Sequence, residues 1–164
     1  MRDKLWLELT QAKHNVDYSS LYLDKQKSIS NGFTILLVVF STGGVMGWSL
    51  WEKFPIVACA IISALSIIKL VQPEIIMNAE QQAKLSRIHI FYCGYFNKLE
   101  KLWHDFEDEE ISEKTLKDTL YEILDTEIEA SRELNEIHLK KPQRWVKKAA
   151  KHTNDYIQRV FNTN

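Results

Sequence analysis

The residues able to do chemistry in this chain are few and far apart. His14, His89, His104, His138 and His152 include no pair three or four positions apart, the spacing that puts two ligands on one helical face, and Cys59 and Cys93 form no CxxC. The segment HDFEDEE at residues 104–110 offers carboxylates to a hard cation, yet reads more simply as a solvated helix end. No Gly-rich phosphate cradle, nucleophile elbow or dinucleotide fingerprint occurs. The expectation is therefore no catalytic centre, no metal, no cofactor and no enzyme. One polar constellation is regularly spaced: Cys59, Ser63, Ser66 and Lys69 fall within about 120° of arc on a helix. Such an arc can line water if several copies assemble in a ring. Alternatively, the hydroxyls bond carbonyls one turn earlier and Lys69 only reaches toward the interface.

The elements that must position this arc are strongly apolar. Residues 33–51, FTILLVVFSTGGVMGWSLW, carry no formal charge in a chain that is 26% charged, and charge is absent over 28–51 and again over 54–68. The 45% hydrophobic content and net charge of -1 describe an ordinary domain only because averaging hides this segregation. At about 1.5 Å per residue, 33–51 reaches roughly 28 Å, close to the hydrocarbon thickness of a bilayer. Residues 54–71, FPIVACAIISALSIIKLV, form a second run with Lys69 near its end. Only Glu52 and Lys53 separate the runs, and Pro55 stands where a helix's first turn needs no donor. This pattern predicts a two-span transmembrane hairpin. Neither run has the polar face of a bundle helix, and a cleaved signal peptide fits neither the position nor the pairing.

Trp48, Trp51 and Phe54 gather at the turn as an interfacial belt. Gly43 with Gly47, and Ala60 with Ala64, give small-xxx-small spacings that pack either the two spans or neighbouring subunits. Lys13, Lys25 and Lys27 precede the first span, and Lys69, Lys84 and Arg87 end or follow the second, so both termini are expected on the cytoplasmic side. Cys59 within a span and Cys93 beyond it suggest no disulfide framework.

The remaining sequence has helical periodicity, so the expected fold class is all-α: a membrane hairpin with long amphipathic helices before and after it. Leu5, Leu9, Ala12, Val16, Ser19 and Leu23 alternate spacings of four and three, as do Leu85, His89, Tyr92, Phe96, Leu99, Trp103 and Phe106. The second stripe is expected to meet another subunit or a partner. A third runs Leu116, Leu120, Ile123, Glu127, Ala130, Leu134 and Ile137, with Ser112 as its cap and Glu113 at its positive end. Pro142 should end that helix and begin another. The expected elements are 4–31, the spans 33–51 and 54–71, then 74–110, an acidic helix 112–140 and a basic helix 142–162, all in one domain.

Charge is segregated across Pro142. Residues 105–136 hold thirteen acids against Lys114, Lys117 and Arg132, net -10, while residues 138–164 hold seven bases against Asp155, net +6. The basic tail either docks on the acidic helix of its own or a neighbouring subunit, or lays Lys140, Lys141, Arg144, Lys147, Lys148 and Lys151 against anionic lipid headgroups. It carries no recognised nucleic-acid module, and nucleic acid is not an expected partner.

This layout resembles the SLATT family, the two-span effectors associated with SMODS nucleotidyltransferases and SLOG sensors in bacteria. The resemblance lies in the amphipathic segment LWLELTQAKHNVDYSSLYLDKQKS, the close-set spans, and PEIIMNAEQQAKLSRIHIFYCGYFNKLEKLW after them, roughly residues 5–137. It implies a homo-oligomeric effector of an anti-phage or conflict system in the bacterial inner membrane. Such an effector permeabilises the membrane in abortive infection, when a sensor or nucleotidyltransferase partner, or its nucleotide product, signals. A non-conducting, membrane-anchored scaffold that recruits a cytosolic partner shares the same topology.

Overall fold

The computed structural model describes residues 1–46, 55–136 and 142–161. These form five helices: α1 Arg2–Met46, α2 Pro55–Ile75, α3 Ala79–Glu107, α4 Glu113–Glu136 and α5 Gln143–Phe161, with no strand among the described residues. The all-α expectation therefore holds. The chain, expected as one domain, divides into two compact units: Met1–Leu23 with Gln81–Asn164, and Asp24–Glu80.

The element boundaries differ from those expected, for local reasons. α1 runs unbroken through Gly32, where two helices were expected. One helical glycine costs about 1 kcal/mol, less than the several backbone hydrogen bonds a break would forfeit. α2 continues past Pro73 to Ile75 because the Ile76 N–H donates to the Gln72 carbonyl at 2.9 Å and re-forms the ladder beyond the proline. The break falls instead at 76–78, where the Met77 N–H donates to Oε1 of the buried Gln26 at 3.3 Å. Among the described residues no helix is long and apolar enough to cross a membrane. The first expected span runs past Met46 into residues outside the described set, as do Trp48, Trp51 and Phe54.

In the larger unit, α1, α3, α4 and α5 form a bundle. Its core contains Leu5, Leu9 and Ala12 of α1, Leu85, Ile88, Leu99 and Leu102 of α3, Leu116, Leu120 and Ile123 of α4, and Ala149 of α5. α3 ends with Glu109 in the left-handed region (φ 58°), while the Glu110 N–H donates to the Asp105 carbonyl at 2.9 Å, closing the orphan carbonyls of the last turn. Three residues later Ser112 caps α4, its Oγ accepting from the Thr115 N–H at 3.2 Å. Replacing that cap, Ser112→Ala, is expected to cost about 1 kcal/mol of bundle stability. Chemical denaturation would show it as a lower midpoint at unchanged slope; an unchanged midpoint would mean the cap contributes nothing.

Candidate functional site

The smaller unit carries the apolar surface. Along α1 and α2 the large aliphatic side chains lie outward: Ile35 is 64% exposed, Ile56 85% and Leu70 79%, with Val38, Val39, Ile62 and Ile67 also exposed. Cys59, Ser63, Ser66 and Lys69 are all exposed on α2, so the predicted polar arc stands among these aliphatics. The Ser66 hydroxyl donates to the Ile62 carbonyl at 2.9 Å, one turn back, so its polarity is satisfied by its own helix. Ala60 and Ala64 are exposed as well. Gly43 lies in α1 with its surroundings outside the described set, and Gly47 lies beyond the described residues.

The bundle takes up the helical stripes internally. Leu85, Tyr92, Phe96, Leu99 and Trp103 are buried and His89 and Phe106 half-buried, so the stripe expected to meet another subunit is spent inside its own. The physical reason is number: three further amphipathic helices supply enough apolar surface to cover it. Periodicity marks a face for burial without saying which copy buries it.

Two polar clusters inside the bundle fix its register. The Ser19 hydroxyl lies 2.7 Å from the Asn15 carbonyl and 2.9 Å from His89 Nδ1, joining α1 to α3. His89 Nε2 lies 3.7 Å from the Cys93 thiol. The sequence signal for the α1–α3 pair was a polar residue at a stripe position on each helix; Cys93 carried none. The second cluster was missed altogether. Glu127 accepts from the Tyr92 hydroxyl at 3.2 Å on Oε1 and from the Tyr95 hydroxyl at 3.3 Å on Oε2, clamping α4 to α3. Burial, then the Glu127 charge, pushes Tyr92 up to about 12, and the same two causes raise Tyr95 further. Beside Glu127 lies an open groove of about 400 Å³ lined by Leu124, Ile128, Ser131 and Arg132. Among the described residues no group of three or more His, Cys, Asp or Glu is placed to hold a metal.

α5 packs through one face and presents its bases on the other. Phe161 meets Trp6 edge-on at 5.2 Å, Tyr156 donates to Glu100 at 2.5 Å, Thr153 donates to Asp17 at 2.9 Å, and Trp145 meets Tyr22 at 5.1 Å. Arg144, Lys147, Lys148 and Lys151 are exposed, without an ion pair among the described residues; Lys140 and Lys141 lie outside them. The tail helix is thus seated on α1 and α3 by aromatic and hydroxyl contacts rather than by its charge. Comparison with known protein families, characterised proteins and solved structures finds no match for this chain.

Proposed function

We propose that this chain is an oligomeric membrane effector of the kind its layout resembles. The hairpin 33–71 lies in the bacterial inner membrane with both termini cytoplasmic, and a partner protein or its nucleotide product triggers permeabilisation as part of an anti-phage response. The exposed aliphatic surface of the smaller unit carries this reading. Burying one such side chain is worth about 1.5–3 kcal/mol, so Ile35, Ile56, Ile62, Ile67 and Leu70 together favour a lipid covering strongly over water. Lys69 lies near one end of the apolar run, where the cost of a charge is smallest. The scaffold reading draws on the Ser66–Ile62 bond, because a hydroxyl satisfied by its own helix does not require a water-filled pore.

The test has two stages. The protein should resist alkaline carbonate extraction. In a variant lacking Cys59 and Cys93, an impermeant maleimide should label intact cells at Glu52→Cys but not at Asn164→Cys. Extraction by carbonate would remove the membrane assignment, and the reverse labelling would invert the topology. With neighbouring genes present and phage added, triggered cells should lose membrane potential, and Ser63→Leu with Ser66→Leu should suppress that loss while insertion persists. Protection from phage with the potential intact would leave the scaffold as the surviving reading.

A further inference from the structure

Charge in the larger unit is sorted along its length. Tyr22 of α1 meets Trp145 of α5, Asp17 meets Thr153, Lys13 lies 4.6 Å from the Tyr156 ring centre and Trp6 meets Phe161, so α5 runs antiparallel to α1. α3 does the same: Ser19 meets His89, Trp6 meets Trp103 and Arg2 pairs with Glu107. Arg144, Lys147 and Lys148 of α5 and Arg87 of α3, all exposed, are therefore level with about the last turn of α1 before Leu23, and Lys84 is nearer still to that end. Among the described residues none of the four exposed bases forms an ion pair. No acid stands on α1 from Tyr18 to Leu23, on α3 from Gln81 to Leu99 or on α5 from Gln143 to Asn154. α4 runs with α1, from Tyr121 by Lys4 to Glu127 by Tyr92, so it brings Arg132, Glu133 and Glu136 toward the same end.

The opposite end is acidic. Arg2 pairs with Glu107 at 2.9 Å and the Met1 amine with Glu113 at 4.0 Å, which puts the α3–α4 turn beside Met1, and there Asp108, Glu109 and Glu110 stand exposed. The two ends lie roughly 30 Å apart along α1, about three Debye lengths at physiological salt, so the acids do not cancel the field at the basic end. That basic end is the one through which the chain passes to the smaller unit, leaving after Leu23 and returning at Gln81.

We propose that this basic end binds the phosphate headgroups of anionic phospholipid. The inference rests on the membrane reading of residues 33–71 and adds which lipid the protein requires and which residues hold it. Ten residues of α1 separate Leu23 from Phe33, at most about 15 Å of helix, and a headgroup layer occupies about 5–7 Å of that. The remainder is within about one Debye length, and the long Lys and Arg side chains shorten it further. α5 adds the positive end of its own dipole, with no acid in its first turn to offset it. The Arg144 guanidinium lies 5.7 Å from the Trp145 ring centre, which sets a phosphate donor beside a side chain of the type that favours the headgroup level. The bases are spread over three helices, as an extended charged surface requires and a single bound anion does not.

The test uses full-length protein lacking Cys59 and Cys93, labelled at Gln143→Cys with a fluorescent donor. It is reconstituted into phosphatidylcholine vesicles carrying a headgroup-linked acceptor, with or without phosphatidylglycerol. Energy transfer should rise when phosphatidylglycerol is present. The rise should vanish in raised salt and in Arg87→Glu/Arg144→Glu/Lys147→Glu/Lys148→Glu. Lys98→Glu/Lys101→Glu/Lys114→Glu/Lys117→Glu makes the same change in net charge at exposed bases nearer the acidic end and should leave the rise in place. Circular dichroism should show unchanged helicity in both variants, and the salt arm stands on unreversed protein alone. Equal transfer in the two vesicles, or a rise that survives the basic-end reversal, would overturn the proposal. So would a rise that the distal reversal also removes, which would assign the effect to net charge, or one abolished by inorganic phosphate at matched ionic strength, which would assign the bases to a free anion. Carbonate extraction separates the two ideas. Resistant wild type without the rise removes the headgroup contact alone. Extractable wild type removes the membrane reading and leaves flotation with preformed phosphatidylglycerol vesicles to decide the contact: protein that floats and is released by the basic-end reversal upholds it, and protein that does not float overturns it.

Discussion

Leu99→Glu is expected to unfold the bundle. Leu99 is 0% exposed, on the α3 stripe that packs against the apolar faces of its own subunit. Removing a buried leucine side chain costs about 2–5 kcal/mol, and a carboxylate in its place adds several more because burial strips the charge of its hydration. A domain's whole stability is about 5–15 kcal/mol, so the substitution consumes most or all of it. Loss of helical ellipticity and rapid proteolysis of the larger unit are the expected readouts, while Leu99→Met should cost less than about 1.5 kcal/mol. Were the stripe an intersubunit surface, as its periodicity alone allowed, Leu99→Glu would dissociate an oligomer and leave a folded monomer. A folded, wild-type-like melting curve for the variant would refute the internal packing.

Alkaline unfolding is the second large effect. Tyr92 and Tyr156 are pushed up to about 12, first by burial and then by carboxylates, Glu127 for Tyr92 and the hydrogen-bonded Glu100 for Tyr156; Tyr95 is raised further by burial, Glu127 and Glu8. The folded state holds these protons more tightly than the unfolded chain, whose tyrosines titrate near 10.0. The associated stability is therefore complete below pH 10 and is lost as pH rises from about 10 through 12, where the unfolded chain releases protons first. Ellipticity and tyrosinate absorbance should change together in that window. Glu127→Gln should bring the pKa values of Tyr92 and Tyr95 down toward the ordinary range and flatten the dependence. Ionisation of Tyr92, Tyr95 or Tyr156 near pH 10 with the helices intact, read residue by residue by NMR, would defeat the argument.

The sequence by itself determined the helical class, the stripe residues, the Ser112 cap and the segregation of apolar from charged segments. These are local properties: a spacing of three and four, a hydroxyl before an acidic first turn, and a run without charge each act within a few residues. It also marked Cys59, Ser63, Ser66 and Lys69 as one face, because helical angle follows from spacing. The boundaries at Gly32 and Pro73 went otherwise, because the cost of one glycine or proline was set against a ladder of neighbouring hydrogen bonds and lost. Only the tertiary structure decided which copy buries the α3 stripe, that Tyr92 and Tyr95 converge on Glu127, and that Ser19 meets His89. Each joins helices distant in the chain, and amphipathic helices carry no local mark of their partner's identity.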